Sequence, residues 1–385
     1  MSLVRIQVVP LSNKRTPVRL LHFKPMHTAT SEAPHIHLDP TFEALRQGIE
    51  RKRPTSIVVI TDRNTERFCL PLLSPHLPPG TQFLGLSGHG ESIKTLEYLH
   101  AIWDSMEGMS TDRNGLIIAL GGGTVTDLVG LAASTYMRGI PFWLIPTTLL
   151  GMVDAAIGGK TGINFNGLKN RIGTFHNPQG ISINTDLLST LHPRELRNGW
   201  AEHIKHTLIQ TGHSGAPEAD IAAILDAEVP SSELAHAIST SIRIKWSTVL
   251  KDPEEKLGLR KALNLGHTAG HALESLSLEA GQDIKHGEAV AWGMRLALTL
   301  SGQHPSCPHA DESTFLDVME ALAQQIPLQC PVPDAAELWS RMSTDKKNKG
   351  GETLMVLLDG PGKPIIDVAV TFESFAGAYA ALMKG

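Results

Sequence analysis

Leu116-Ile117-Ile118-Ala119-Leu120-Gly121-Gly122-Gly123-Thr124-Val125-Thr126-Asp127 is the stretch that decides the class of fold. An unbroken apolar run that ends in three glycines reads as a strand buried on both faces, and the segment after it reads as a helix. Glycines at such a turn let backbone amides approach a pyrophosphate at the helix N-terminus. The spacing departs from G-x-G-x-x-G, so the turn alone equally suits any α/β protein. Further runs flank it: Ser56-Ile57-Val58-Val59-Ile60 and Phe83-Leu84-Gly85-Leu86 before it, and Pro141-Phe142-Trp143-Leu144-Ile145 after it. A helical stretch to about His76 and an amphipathic one from Glu91 to Met106 lie between these runs. Short apolar runs alternating with helices indicate βαβ units and a parallel sheet.

Beyond about Thr190 the strand-like runs stop and helical periodicity takes over, near 193–210, 233–250, 260–276, 287–301, 312–325 and 335–342. One hairpin, Thr353 to Val370, turns at Gly360-Pro361-Gly362-Lys363. A chain of 385 residues suits two domains. They are expected at 1–188, an α/β nucleotide-binding domain, and at 189–385, a mainly α-helical metal- and substrate-binding domain. A formal charge of −5 offers no broad basic surface for nucleic acid or an acidic membrane, so an anionic ligand must meet a local cluster. No uninterrupted apolar stretch is long enough for a membrane helix, and Leu3 to Val9 alternates like a strand rather than a signal peptide. The three cysteines, Cys69, Cys307 and Cys330, are widely spaced and form no C-x-x-C. A reducing, cytoplasmic setting is expected. Eighteen histidines invite a search for metal ligands.

Four groups of residues carry chemistry. Asp62, directly after the first run, could accept ribose hydroxyls or simply cap the next helix. Arg260, Asn264, His267, His271 and Glu274 fall on one stripe if 260–276 is a single helix, a polar stripe on an otherwise apolar surface. Arg194 to Gln210 sets Glu195, Asn198, Glu202, Lys205 and His206 on one side of another helix. A catalytic zinc takes three His or carboxylate ligands and keeps an open position. Glu202 with His267 and a third histidine such as His286 would meet that, and so would both members of His267-x-x-x-His271. Lastly, Gly158-Gly159-Lys160-Thr161-Gly162-Ile163-Asn164, Lys169-Asn170-Arg171 and Arg138 bring cations suited to phosphate or carboxylate, with a solvated basic loop as the plain alternative. The P-loop spacing is missing and Thr148 to Ala156 reads as helix, so this is not an ATPase loop.

Read together, these segments resemble the 3-dehydroquinate synthase family of sugar phosphate cyclases from about Ser56 to Gly362. The blocks that carry the resemblance include Leu120 to Asp127, Ala133 to Gly139, Pro146 to Leu150, Val153 to Gly162, Ala201 to Lys205, Asn264 to His271, His286-Gly287-Glu288 and Asp345-Lys346-Lys347. The resemblance implies an NAD- and zinc-dependent homodimer, with cobalt as an alternative metal. Its reaction turns 3-deoxy-D-arabino-heptulosonate 7-phosphate into 3-dehydroquinate and phosphate by transient oxidation, β-elimination, re-reduction and aldol closure. The resemblance puts the metal on Glu202, His267 and His286, with His271 facing the substrate. It puts the nucleotide on Asp62, Glu91, Lys94, Gly122, Gly123, Asp127, Thr147, Thr148, Asp154, Lys169, Thr190 and Glu195. Catalysis falls to His271, Lys160, Asn264, Arg260 and Lys205, and substrate binding also to Arg138, Asn170, Lys245 and one of Lys346 and Lys347. Alternatives sharing the architecture are a related cyclase, such as 2-epi-5-epi-valiolone synthase, or a metal-dependent alcohol or glycerol dehydrogenase. The retained Gly158-Gly159-Lys160, Asn264, His271 and Asp345-Lys346-Lys347 favour a carboxylate-bearing substrate.

Overall fold

The computed structural model describes residues 3–6, 35–210, 229–311, 313–343 and 353–384. Its residues group into two compact units, 3–6, 35–147 and 158–187 in one, and 148–157 with those from 188 onward in the other.

The first unit is built on seven parallel strands: β1 (Leu3–Ile6), β2 (His35–Leu38), β3 (Ile57–Thr61), β4 (Gln82–Leu86), β5 (Leu116–Gly121), β6 (Phe142–Pro146) and β9 (Gly180–Ile183). Their order is β1-β4-β3-β5-β6-β9-β2. Every residue of β3, β5 and β6 is buried, as expected of central parallel strands covered on both faces. Each large aliphatic side chain buried there contributes about 1.5–3 kcal/mol. The chain steps from β3 to β4 on one side and returns to β5 on the other. The carboxyl ends of β3 and β5 therefore form a topological switch point, where open α/β sheets bind ligands.

Strands β2 and β9 were not legible in the sequence. Neither was the antiparallel pair β7 (Lys160–Phe165) and β8 (Leu168–Phe175), which takes the place of the basic loop weighed for this stretch. Asn166 and Gly167, both at positive φ, make its tight turn.

The second unit is mainly helical and carries near its end the hairpin of β10 (Thr353–Leu358) and β11 (Pro364–Val370), followed by a last helix. Helix His286–Gln303 runs through its middle, packed against helices Pro193–Ile209, His267–Glu279, Leu316–Gln325 and Phe372–Leu382. It is apolar nearly all round, as a central helix must be. The turn Gly151–Ala155 packs on helices Pro193–Ile209 and Ser232–Lys251, so Thr148–Ile157 groups with this unit and not with the sheet that precedes it in sequence.

One expectation about the helices is corrected. Residues 260–276 are not one helix: Leu259–Asn264 is a 3₁₀ segment, and the α-helix starts anew at His267. Gly266 between them has φ of 77°, a left-handed conformation that breaks the helix. A Cβ there would also lie 2.6 Å from Met294 Cγ and 2.9 Å from the Val290 carbonyl. Arg260 and Asn264 therefore leave the stripe that His267, His271 and Glu274 share.

Candidate active site

In the first unit the residues expected to hold a nucleotide collect around the switch point. Gly122, in an extended conformation, precedes helix Gly123–Thr135, whose N-terminus presents unpaired amides of the kind that bind anions. Gly121 is obligatory, since a Cβ would sit 2.4 Å from Val125 Cβ. Thr147 N donates to the Gly121 carbonyl at 3.0 Å, joining the ends of β5 and β6. Asp62 caps helix Arg63–Phe68: its Oδ1 accepts from Thr65 N at 2.8 Å, and Thr65 Oγ1 accepts from Asp62 N at 3.0 Å. The capping role foreseen as the plain alternative is thus real. Lys94, almost wholly buried, donates to Asp127 Oδ2 at 2.6 Å and to Asn170 Oδ1. Glu91 accepts from Asn164 Nδ2 at 2.7 Å. Lys160, Lys169 and Asn170 are exposed on the β7–β8 hairpin, and Arg138, also exposed, has φ of 70°.

In the second unit, Glu202 is fully buried, and its Oε1 lies 3.5 Å from His267 Nε2 and 3.3 Å from His286 Nε2. The two imidazoles are held from behind. His267 Nδ1 meets the Leu265 carbonyl at 3.1 Å, and His286 Nδ1 meets Glu274 Oε2 at 3.4 Å. The Leu265 carbonyl fixes His267 with its proton on Nδ1 and its Nε2 lone pair toward Glu202, whereas His286, set between two carboxylates, must give up a proton to act as a ligand. Two imidazole nitrogens within 3.5 Å of one carboxylate oxygen are donors of the zinc type, so these residues fit a metal. Their electrostatics agree. Burial, then Lys205, holds His267 well below its ordinary value, so it stays neutral as a ligand must. Burial opposes charge on His286 too, but the carboxylates of Glu202 and Glu274 on either side raise it to about 10. The position calls for a cation. His271 is exposed, and its ring centroid lies 5.1 Å from that of His267 and 5.8 Å from that of His286. One nitrogen from each of these three histidines lies within 4.8 Å of the others, so both ligand readings weighed from the sequence are geometrically open.

Local packing sets this convergence. Asn198 Oδ1 accepts from Gly287 N at 2.5 Å, and Arg194 grips Glu288 with Nε and Nη2 at 2.6 and 2.9 Å, docking helix Pro193–Ile209 on the start of helix His286–Gln303. Helix His267–Glu279 meets helix His286–Gln303 backbone to backbone: a Cβ on Gly293 would lie 2.1 Å from the Gly266 carbonyl, and one on Gly270 would lie 2.9 Å from that of Ala289.

Charged groups surround the histidines. Lys205 Nζ contacts Glu202 Oε2, and Asp154 Oδ1 lies 2.7 Å from Lys245, 3.4 Å from His206 Nε2 and 4.0 Å from Lys205. Burial works against the Asp154 carboxylate, but Lys245 and Lys205 hold it well below its usual value. Asp154, Glu202 and His206 are also close enough to bind a metal, but the two ammonium groups already neutralise that acid pair. Arg260 is buried and donates from Nη1 to the Pro253 carbonyl at 2.8 Å, while its Nε makes only a 3.4 Å ion-pair contact with Glu255. Lys285 pairs with Glu195 at 3.0 Å, Thr148 Oγ1 accepts from Gly151 N at 3.1 Å, Thr190 is exposed, and Asn264 is half-buried. Lys346 and Lys347 lie outside the described residues. Sequence reasoning placed Glu274 on the right stripe without giving it a role, and it quoted Asn164 only as part of a loop.

Fold and donor set together define a class: a parallel α/β unit with a glycine turn at its switch point, joined in sequence to a helical unit that carries a carboxylate–histidine metal-type cluster. Within that class, the profile described as 3-dehydroquinate synthase N-terminal matches residues 86–198, and its C-terminal counterpart matches residues 199–348. The chain is 37% identical over 358 residues to a 3-dehydroquinate synthase from Leptospira interrogans, covering 92% of this chain and 96% of that one. It is 37% identical to another from Parabacteroides distasonis, covering 82% and 88%. The chain belongs to the 3-dehydroquinate synthase family. Among solved structures it resembles a 2-epi-5-epi-valiolone synthase from Streptomyces hygroscopicus, crystallised with NAD+ and Zn2+, with a TM-score of 0.79 and 26% identity over 94% of this chain and 99% of the other. A glycerol dehydrogenase from Sinorhizobium meliloti, described as probable, shares the fold alone, with a TM-score of 0.58 and 15% identity over 91% and 96%.

Proposed function

We propose that this chain is a 3-dehydroquinate synthase that converts 3-deoxy-D-arabino-heptulosonate 7-phosphate to 3-dehydroquinate and inorganic phosphate, using NAD and one zinc or cobalt ion. The observation that carries the reading is the convergence of Glu202 Oε1 with the Nε2 atoms of His267 and His286 in a member of this family. Those three residues hold the metal, and His271 beside them faces the substrate. Asp62, Gly122, Gly123, Asp127, Lys94 and Glu91 hold the nucleotide, with Thr147, Thr148, Asp154, Lys169, Thr190 and Glu195 completing its contacts. When bound, NAD accepts and returns a hydride, and the metal polarises the oxygen at the carbon that gives it up.

The chain's own residues supply binding and charge. Lys205 and Lys245 offset Glu202 and Asp154, so the cluster is near neutral before a dication arrives. Arg260 keeps donor capacity beyond its Pro253 contact, and burial lowers its pKa, so an anionic substrate group complements it. Arg138, Lys160, Asn170, Asn264 and one of Lys346 and Lys347 are the remaining substrate contacts.

A cytoplasmic homodimer is part of this reading. Supporting it, Phe165, Leu168, Ile172 and Phe175 leave apolar surface exposed on the β7–β8 hairpin, where a second copy would cover it. No helix among the described residues is long and apolar enough to cross a membrane.

The test supplies the heptulosonate phosphate with catalytic NAD. Phosphate should appear in step with 3-dehydroquinate while free NADH stays flat. NADH accumulating without phosphate release would make the protein a dehydrogenase. Turnover only of sugar phosphates lacking the carboxylate would make it a related cyclase.

A further inference from the structure

Glu91, Lys94 and Asn170 come from two separate pieces of the first unit, the loop after β4 and the β7–β8 hairpin, and Asn164 ties the pieces together. Its Nδ2 donates to Glu91 Oε1 at 2.7 Å, its Oδ1 accepts from Asn170 N at 2.9 Å, and its backbone N donates to the Lys94 carbonyl at 2.9 Å. The circuit closes through Lys94 Nζ, which reaches both Asn170 Oδ1 and Asp127 Oδ2. The other oxygen of Glu91 accepts from Thr124 Oγ1 at 3.4 Å, at the start of the helix after the glycine turn.

Strand geometry explains why Asn164 can do this. The hairpin pairs Ile163 with Ile172 but Phe165 with Leu168, so its register slips at Asn164. Such irregularities re-aim a side chain and are frequent beside active sites. Asn170, across the slip, has φ of 52°, a left-handed conformation that asparagine tolerates. The side-chain oxygen of Asn164 takes the Asn170 N–H.

We infer that Asn164 is a positioning residue: it fixes Glu91 for the nucleotide and Asn170 for the substrate without touching either ligand. This rests on the proposed roles of Glu91, Lys94 and Asn170. An amide is required because one end must donate to a carboxylate while the other accepts from a backbone N–H.

The test is a donor–acceptor exchange read by NAD affinity, measured calorimetrically on the full chain, together with the KM for NAD and kcat. Asn164→Asp keeps the acceptor for Asn170 but sets a second carboxylate against Glu91. It should weaken NAD binding by about 10-fold, the usual scale of a lost charge-assisted bond. Glu91→Gln restores a donor facing Asp at 164, so the same change made in a Glu91→Gln background should cost less than about threefold. Asn164→Ala should raise the KM for NAD more than it lowers kcat, with the melting temperature within about 2 °C of wild type, the scale of a surface change. Equal losses from Asn164→Asp in both backgrounds, or unchanged NAD binding in Asn164→Ala, would overturn the inference. Wild-type protein that binds no NAD would instead overturn the cofactor reading beneath it.

Discussion

Replacing Lys205 with methionine isolates the electrostatics of the metal-type cluster. Glu202 is 0% exposed and Lys205 1%, and their ion pair is sealed from solvent. Methionine keeps most of the volume, so charge is lost rather than packing. Removing one partner of a buried pair costs about 3–5 kcal/mol, because the other charge is left uncompensated. Asp154 retains Lys245 at 2.7 Å, so the loss falls on Glu202, whose remaining cation, His286 at 3.3 Å, is shared with Glu274. At about 2–4 °C per kcal/mol for a unit of this size, metal-free Lys205→Met protein should melt roughly 6–20 °C below wild type. A dication on Glu202, His267 and His286 replaces the missing charge, so zinc should raise the melting temperature of the variant more than that of wild type. Burial alone would raise the Glu202 pKa, but Lys205 leads the groups that hold it well below the carboxylate range. The pair's stabilisation is therefore complete above the unfolded value of about 4.3 and is lost as pH falls through the depressed folded value, so the gap between the proteins should narrow in acid. Calorimetric melts of chelated and zinc-loaded samples supply the measurement. Equal melting temperatures without metal, or equal shifts with zinc, would refute the reasoning.

Because His286 is raised to about 10 without metal, after burial is outweighed by Glu202 and Glu274, metal binding must displace its proton. The apparent zinc association constant, read by competition with a chromophoric chelator, should climb about tenfold per pH unit from roughly pH 7 to 9, and a flat profile would count against His286 as a ligand. Chelation should abolish turnover, and zinc or cobalt should restore it; full activity in metal-free protein would end the metal assignment. Arg260→Ala should lower kcat/KM by the equivalent of about 2–4 kcal/mol, and unchanged kinetics in folded protein would remove Arg260 from the substrate site. Gly266→Ala meets both a left-handed φ and the Met294 backbone N at 2.7 Å, so it should destabilise by at least about 1–2 kcal/mol in a denaturant melt.

What the sequence made legible follows from how local each signal is. The runs of β3, β5 and β6 are apolar throughout, so their burial could be read directly, and the glycine turn after β5 needed only its neighbours. The hairpin of β7 and β8 was hidden because β8 is exposed along nearly its whole length and has no buried face to impose alternation. The stripe from Arg260 to Glu274 was read as continuous because apolar spacing continues through Leu263 and Leu265. What breaks it is the left-handed Gly266, packed against a helix that begins about twenty residues later in the chain. Glu202 and His286 are 84 positions apart, and nothing in either segment announces the other. Donor chemistry offered their pairing as one of two ligand sets and resemblance to a family chose between them; spacing set Glu274 on the stripe without showing what it does, and Asn164 passed as one residue of a loop.

The seam where Gly266 and Gly270 meet Gly293 and Ala289 has a consequence for how the protein matures. At Gly270 and Gly293 the approach is main chain against main chain, so the spacing of the backbones that carry His267 and His286 depends on those positions having no side chain. Under the proposed ligand set, an intermediate with these two helices and Pro193–Ile209 formed but not yet docked would possess every ligand and still have no receptor for the ion. Tight metal capture then becomes a clock for the last step of assembly: during refolding it should lag the recovery of helical signal and coincide with the burial of Trp292, one position before the glycine on which the seam closes.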